Sequence, residues 1–198
     1  MIRAMDLVSR RIYTVGHSTR TIEQFIHLFH RHSIEALADV RRFPRSRRHP
    51  QFNDEALAVS LPEAGIEYVP LSALGGRRRP LPAEESPNHS WSVEGFRGYA
   101  DFMLTEPFTE ALKQLEARAA CMPTVIMCAE ALYWRCHRRL ISDALLVRGW
   151  EILHIGSGGS DDLRPHALPD FAKVEGRHIT YPGATLFDHR SSCRDATS

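Results

Sequence analysis

Residues 124–139 read TVIMCAEALYWRCHRR, and this stretch decides the fold. Its first part, Val125 to Met127, is a continuous apolar run of the kind that a strand buried on both faces needs. From Trp134 onward the apolar residues recur at helical spacing and predict a helix. In open α/β sheets, ligands bind beyond the carboxyl ends of the strands. The sequence therefore predicts a functional site in the loop between this strand and this helix.

The chain before this stretch predicts more of the same sheet. A strand over residues 12–16 leads into an amphipathic helix, and a second strand follows over residues 34–40. Strand, helix and strand within about 30 residues form a βαβ unit, which implies parallel pairing and a right-handed crossover. The residues that can cap the helix and close a capping box are Ser18, Thr19 or Thr21 and Glu23 or Gln24.

The remaining apolar segments complete an alternation of strands and helices. The pattern predicts helices over residues 55–64, 96–104 and 107–119 and strands over residues 66–70 and 150–155. Residues 80–92 are polar and rich in proline, which predicts a mobile excursion. We therefore predict a three-layer α/β fold, with a mainly parallel sheet of about five strands and helices on both faces.

This α/β domain is expected to span residues 1–156. The Gly/Ser-rich run Gly156-Ser157-Gly158-Gly159-Ser160 is typical of a flexible linker and leads into a C-terminal extension, residues 157–198. We expect this extension to pack on the domain. Within the extension, residues 165–173 are expected to be helical and residues 178–182 extended. Its end, from about residue 191, is expected to be disordered.

The distribution of charge is more informative than its sum. The 198-residue chain has a formal net charge of +1, which says little about partners. Between residues 40 and 80, however, eight arginines stand against four acidic residues. This local excess of positive charge favours an anionic ligand, either a small molecule or a nucleic acid. The sequence leaves the oligomeric state open.

The sequence also predicts a compartment. The amino-terminal ten residues lack the apolar core and cleavage pattern of a signal peptide, and no apolar run approaches the length of a spanning helix. We therefore expect a cytoplasmic protein without a membrane partner. The four cysteines show no compact secretory spacing, so reduced thiols are expected.

Several short motifs resemble those of one family. They are Thr14-Val15-Gly16-His17-Ser18, Asp39-Val40-Arg41-x-x-Pro44-x-Ser46, Leu74-Gly75-Gly76, Gly98-Tyr99-Ala100-x-Phe102-Met103, and Cys128-Ala129-Glu130 followed by Cys136-His137-Arg138. Together they resemble the domain of unknown function (DUF) 488 family over about residues 12 to 156. The resemblance implies an α/β domain with a set of recurrent polar residues, and it implies no particular reaction. Tyr133-Trp134 departs from the proline that the family often has in this loop.

Four residues are candidates for catalysis: Cys128, Glu130, Asp39 and His17. Cys128 ends the central strand and is either a nucleophile activated by neighbouring cations or an inert part of the pocket wall. Glu130 is a candidate acid or base, and its structural alternative is an ion pair with Arg135 or Arg138. His17 and Asp39 follow the first two strands and are expected to face the same crevice.

A second set of residues is expected to bind the substrate: Ser18, Arg41, Ser46, Arg138 and His137. Arg41 would clamp a phosphate or carboxylate, oriented by Asp39, unless the two simply form a salt bridge at the rim. Cys136 is expected to be buried against the sheet. The positive charge of an arginine at a helix N-terminus, such as Arg138, interacts unfavourably with the helix dipole unless an anion neutralises it.

The arginines of the intervening loops are either solvated surface or contacts for a nucleic-acid backbone: Arg45, Arg47, Arg48, Arg77 and Arg78. No cofactor is expected. Zinc remains chemically possible, since Cys128, Cys136, His137, His17 and Glu130 are zinc-type ligands. Adjacent residues on a helix point in different directions, however, which argues against Cys136 and His137 binding one ion.

The leading hypothesis is a hydrolase or group transferase that acts on a nucleotide or nucleic acid. No Gly-x-Gly-x-x-Gly fingerprint follows any predicted strand, which disfavours dinucleotide-dependent redox chemistry. Two alternatives belong to other classes. One is a nucleic-acid-binding module without catalysis, and the other is a thiol redox or metal sensor.

Overall fold

The computed structural model describes residues 10–156 and 162–183. Its main sheet has six strands in the order β3-β2-β4-β1-β5-β6, of which the first five are parallel and β6 is antiparallel to β5. The strands are β1 (Arg11–Gly16), β2 (Ala36–Asp39), β3 (Glu67–Pro70), β4 (Thr124–Cys128), β5 (Glu151–Ile155) and β6 (Leu163–Pro165). A separate antiparallel pair consists of β7 (Lys173–Glu175) and β8 (His178–Thr180).

Five α-helices cover the two faces of this sheet. They are α1 (Ile22–Arg31), α2 (Asp54–Glu63), α3 (Glu94–Met103), α4 (Glu106–Cys121) and α5 (Arg138–Val147). One hydrophobic core joins the sheet to α1 and α2, and a second core joins it to α3, α4 and α5. The predicted three-layer α/β fold is confirmed, with one strand more than the expected five.

Local signals in the sequence fix several helix boundaries. Thr21 caps α1, and Gln24 closes the capping box by accepting a hydrogen bond from the Thr21 main-chain N–H. Thr105 caps α4 by accepting from the N–H of Phe108, and Pro107 occupies the first turn, where its missing N–H costs nothing. These boundaries are set by neighbouring residues, so they were predictable.

The helix after β4 begins later than its spacing predicted. Residues Tyr133–Arg135 form a short 3-10 turn, and Cys136 then adopts extended backbone with φ −126° and ψ 148°. The ring of Tyr133 stacks on His154 of β5 with centroids 3.5 Å apart. This contact across the sheet holds the segment in a turn, so the prediction of a helix from Trp134 was wrong and α5 starts at Arg138.

Two further expectations fail for identifiable reasons. Residues 80–92 form no helix or strand but are anchored rather than free, because Ser86 and Asn88 both donate to the buried carboxylate of Asp101. Residues 165–173 do not form the expected helix. Pro165 and Pro169 interrupt that segment, and Pro165 ends β6, which pairs along β5.

A chain of buried polar side chains ties the C-terminal segment to the domain. The Tyr181 hydroxyl donates to Asp143 Oδ2, and His166 Nε2 donates to Asp143 Oδ1 at 2.6 Å. Because a carboxylate only accepts, the proton of His166 is on Nε2, and His166 Nδ1 accepts a hydrogen bond from His154. Arg138 donates to Thr14, Thr14 to His154 and His154 to His166. We call this chain the buried relay: Arg138, Thr14, His154, His166, Asp143 and Tyr181.

The expected extended segment at residues 178–182 corresponds to β8 (His178–Thr180). The expected disordered end from about residue 191 lies outside the described residues. Within residues 10–156 and 162–183, every helix is too short or too polar to cross a membrane.

Candidate functional site

A cleft of about 750 Å³ opens at the carboxyl ends of β1, β4 and β2. These strands are neighbours, and they end level because Gly16 pairs with Cys128 and Asp39 with Met127. The loops that leave them therefore converge on one hollow. The predicted site residues that line it are His17, Ser18, Arg41, Cys128, Glu130, His137 and Arg77, of which Arg77 was expected to contact a nucleic acid.

His17 lies at the start of the loop after β1 and is 3% exposed. Its ring stacks on Phe52, and its Nδ1 atom lies 3.0 Å from the Ser18 carbonyl oxygen. Because a carbonyl oxygen only accepts, Nδ1 carries the proton and Nε2 presents a lone pair. Burial lowers the pKa of His17 to about 4, although the hydrogen bond to Ser18 opposes this shift. His17 therefore supplies the cleft wall with an uncharged acceptor.

Asp39 and Arg41 form a buried ion pair beneath the cleft. Arg41 Nε and Nη2 donate to the two carboxylate oxygens of Asp39 at 2.8 and 2.6 Å, and the Tyr68 hydroxyl donates to the same carboxylate. Arg41 Nη2 also donates to the Phe52 carbonyl oxygen. Asp39 does not line the cleft, and Arg41 reaches it with most of its donors already engaged. The pair chiefly joins β2 to the loop that carries Phe52.

Glu130 stands at the exposed rim of the cleft. Its carboxylate accepts a hydrogen bond from the main-chain N–H of Leu132 at 3.2 Å. In the part of the chain that the structure describes, no ion pair includes this carboxylate, so the expected alternative of pairing with Arg135 or Arg138 is not formed. Glu130 therefore keeps its second oxygen and its charge available to a ligand.

Arg138 supports the loop from behind instead of lining the cleft. It is 1% exposed, and its Nη2 atom donates to the main-chain carbonyl oxygen of Glu130 at 2.5 Å. Its Nη1 atom donates to the Thr14 hydroxyl at 3.3 Å, which connects the loop to the buried relay. Arg138 thus fixes the position of Glu130 and does not contact a ligand in the cleft directly.

Two thiols and an imidazole meet at the base of the cleft. One ligand atom each of Cys128, Cys136 and His137 lies within 4.8 Å of the other two. His137 Nδ1 is 3.6 Å from Cys136 Sγ, and His137 Nε2 is 3.0 Å from the Val40 carbonyl oxygen. We call Cys128, Cys136 and His137 the thiol–imidazole cluster; among the described residues, these are the ones that could hold a soft metal ion.

The two thiols of this cluster differ in acidity. A hydrogen bond with Cys136 and burial both raise the pKa of Cys128 well above its ordinary value. The same bond with Cys128 lowers the pKa of Cys136 well below its ordinary value, against the effect of burial. Cys136 is therefore the thiol that ionises first.

Arginines dominate the charge of the cleft walls. Arg42, Arg77 and Arg135 are exposed at the cleft, and Glu130 is the sole carboxylate among the described residues that line it. Phe43 lies between two of these arginines, with the guanidinium carbons of Arg42 and Arg77 at 5.6 and 6.0 Å from its ring centroid. The cleft thus combines positive charge with an exposed aromatic ring.

Other predicted residues lie away from the cleft. Ser46 belongs to a turn, in which its hydroxyl accepts hydrogen bonds from the N–H groups of Arg48 and His49. Arg45 pairs with Glu55 at 2.8 Å, and Arg78 stacks on Phe102 at 3.7 Å. Arg47 and Arg48 are exposed outside the cleft.

Backbone strain is concentrated at the cleft. In the described part of the chain, three residues other than glycine have a positive φ, and two of them, Ser18 and Arg77, line the cleft. Their φ values are 52° and 58°, in the left-handed region that L-residues rarely adopt. Such strain persists where the surrounding structure imposes it and often marks functional loops.

Several residues that line the cleft were not predicted to lie in it: Arg42, Phe43, His49, Phe96 and Cys136. Arg42 and Phe43 follow directly after Arg41, so their position beyond the end of β2 was the signal that could have identified them. Phe96 comes from the start of α3. No local pattern indicates that this helix closes the opposite wall.

A family model described as "Domain of unknown function DUF488" matches residues 21–145. The matched span contains Asp39, Arg41, Cys128, Glu130 and Cys136, whereas His17 and Ser18 precede it. No curated protein and no solved structure matches the chain.

Proposed function

Because the chain belongs to the family described as Domain of unknown function DUF488, and that description names no activity, we propose a function from the cleft. The protein is an enzyme that hydrolyses a nucleotide or transfers a group from it. The observation that carries this proposal is the charge of the cleft, in which Arg42, Arg77 and Arg135 face the single carboxylate of Glu130. A volume of about 750 Å³ also suits a ligand of this size.

Phe43 favours a nucleotide over a simple anion. Its side chain is 65% exposed at the cleft, the largest exposed fraction among the large apolar residues that the structure describes. An aromatic ring beside guanidinium groups can stack a base while the arginines bind phosphate oxygens. The neighbouring Arg42 and Arg77 are placed for this second role.

Glu130 and His17 supply the groups for proton transfer. The carboxylate of Glu130 accepts the proton of the attacking water or hydroxyl, acting as a general base. The neutral His17 accepts a hydrogen bond through Nε2 and orients that nucleophile. Cys128 forms part of the wall behind them.

The test is a screen of nucleotide binding and hydrolysis with matched variants. We expect Glu130→Gln to abolish turnover while nucleotide binding remains, and Glu63→Gln, an exposed carboxylate outside the cleft, to leave both unchanged. We expect Arg42→Gln and Arg77→Gln to weaken binding, and Arg47→Gln and Arg48→Gln to serve as controls of equal charge. Full turnover in Glu130→Gln, or no binding of any nucleotide, contradicts the proposal.

Exposed charge outside the cleft supports a second candidate, a nucleic-acid-binding module. Arg47 and Arg48 are exposed, and no ion pair in the described ranges includes either of them. A binding module would hold oligonucleotides with a steep dependence on salt. That binding would survive Glu130→Gln and be lost in Arg47→Gln/Arg48→Gln, the reverse of what the enzymatic proposal expects.

A further inference from the structure

The thiol–imidazole cluster has the dimensions of a metal site. In a tetrahedral zinc centre, Zn–S bonds of about 2.3 Å and Zn–N bonds of about 2.0 Å put neighbouring sulfur and nitrogen ligands roughly 3.5 Å apart. The separation between Cys136 Sγ and His137 Nδ1 is 3.6 Å. Cys128 completes a triangle whose ligand atoms all lie within 4.8 Å of one another. These separations are compatible with one cation bound by all three atoms.

The imidazole is already held in the orientation that a ligand needs. His137 Nε2 lies 3.0 Å from the Val40 carbonyl oxygen, which can only accept, so this nitrogen carries the proton. The lone pair therefore lies on Nδ1, the atom that faces Cys136. Metal-binding histidines commonly donate their other N–H to a carbonyl or carboxylate in this way.

The backbone explains how adjacent residues reach one ion. Cys136 is extended, whereas His137 has φ −58° and ψ −15° and directly precedes α5. This change of conformation turns the two side chains toward the same point, which two neighbours within a helix do not achieve. Cys136 and His137 precede α5 and do not lie within a helix, so the expectation that they point in different directions does not hold.

Neighbouring residues hold the imidazole of His137 on one side, and the cluster borders the cleft on another. The ring of Tyr99 lies 5.2 Å from that of His137, and a Cβ atom on Gly76 would lie 2.9 Å from His137 Nδ1. These contacts fix the imidazole in place. All three ligand residues also line the cleft. Zinc sites with three protein ligands and one open position are typical of catalytic centres, whereas structural sites use four ligands.

We propose that Cys128, Cys136 and His137 bind one thiophilic divalent cation, Zn²⁺ above all, through both sulfur atoms and Nδ1. The fourth coordination position faces the cleft. This assignment goes beyond the proposed function and can be measured without any substrate. A site that binds metal without nucleotide turnover would therefore leave the metal assignment intact and refute the enzymatic proposal.

The test is titration of the reduced full-length chain with Co²⁺ as an optical probe, followed by displacement with Zn²⁺. Sulfur-to-cobalt charge transfer reports thiolate ligation, and intense visible bands report tetrahedral geometry. We expect one equivalent to bind with both signals. Cys128→Ser, Cys136→Ser and His137→Gln should lose them, while Cys121→Ser, which changes an exposed cysteine outside the cluster, should keep them.

Two further measurements keep the proposal testable if a ligand variant fails to fold. Gly76→Ala should crowd the imidazole and weaken binding by about 10–100-fold, as substitutions beside metal ligands do. In the wild-type chain, Zn²⁺ should protect Cys128 and Cys136 from alkylation and leave Cys121 reactive. Absence of the charge-transfer signal, or equal alkylation of Cys128 and Cys136 with and without Zn²⁺, overturns the proposal.

Discussion

Gly16 and Glu130 are packed so closely that a Cβ atom on Gly16 would overlap the main-chain carbonyl oxygen of Glu130. The end of β1 therefore sets the position of the loop that carries the Glu130 carboxylate. Arg138 donates to the same oxygen from the other side. The main-chain carbonyl group of Glu130 therefore packs against Gly16 and accepts a hydrogen bond from the guanidinium group of Arg138.

Gly16→Ala should displace this loop. Because the clash involves backbone atoms on both sides, we expect a loss of roughly 1–3 kcal/mol in the free energy of unfolding, together with weaker ligand binding in the cleft. Gly95→Ala is the matched control for stability, since a Cβ atom there meets nothing within 4 Å. Chemical denaturation measures the free energy of unfolding of both variants. Equal stability of the two would contradict the close packing of Gly16 against the main chain of Glu130.

The ion pair of Asp39 and Arg41 should be far more costly to break than an exposed one. Arg41→Gln leaves a carboxylate that is 2% exposed without its cation, for which we expect a loss of about 3–5 kcal/mol. Arg45→Gln removes a partner of Glu55 in a pair that is 71% and 80% exposed, and it should change stability by less than about 1 kcal/mol. Urea denaturation measures both, and similar losses in the two variants would refute the structural role of the buried pair.

Two buried histidines should make the fold sensitive to acid. Burial lowers the pKa of His17 to about 4 and that of His154 to about 3, whereas both titrate near 6.5 when unfolded. Below pH 6.5 the unfolded chain therefore binds protons that the folded chain does not. Each histidine should lower stability by up to about 1.4 kcal/mol per pH unit as pH falls from 6.5 toward its folded pKa.

Urea denaturation between pH 7 and pH 5, with a chelator present, measures this slope. His154→Gln should reduce the slope by about one proton. His27→Gln, which changes an exposed histidine, should leave it unchanged. A free energy of unfolding that stays constant across this range would show that the two imidazoles are protonated in the folded state.

Tyr181→Phe tests how firmly the C-terminal segment is attached. The variant removes the hydroxyl that donates to Asp143 Oδ2 within the buried relay, which should cost about 1.5–3 kcal/mol because the acceptor is a carboxylate. Tyr133→Phe is the control, since Tyr133 packs on His154 through its ring. Thermal and urea unfolding should show a clear loss in the first variant and little change in the second.

Phe43→Leu should separate recognition of a base from recognition of a phosphate. Leucine keeps an apolar side chain but cannot stack, so nucleotide affinity should fall by about 1–3 kcal/mol while inorganic phosphate binds as before. Isothermal titration with both ligands measures the difference. An equal loss for nucleotide and phosphate would place Phe43 outside the base-binding surface.

Local sequence signals predicted the layers of the fold and the position of the site. The apolar run at Val125 to Met127 indicated a buried strand, and Thr21 with Gln24 indicated a helix start. Polar residues after neighbouring strands then had to meet, since parallel strands end at one edge of the sheet. The sequence therefore predicted that His17, Arg41 and Glu130 lie close together, and all three line the cleft.

The sequence could not show which polar residues are structural. Arg41 and Arg138 belong to patterns typical of anion binding, yet Arg41 is largely engaged by Asp39 and Arg138 is buried behind the loop. These roles depend on long-range contacts, such as the hydrogen bond from Arg138 to Thr14. The convergence of Cys136 and His137 depends in the same way on the stacking of Tyr133 against β5, which no local spacing records.

The place of β1 within the sheet has a consequence for biosynthesis. This strand precedes the other described strands in the chain, yet its neighbours are β4 and β5, and Arg11 and Glu151, which pair across one of its edges, are 140 residues apart in the chain. During translation, the two edges of β1 stay unpaired until β4 and β5 have left the ribosome. Nascent chains that stall before β5 should therefore expose an aggregation-prone strand to chaperones.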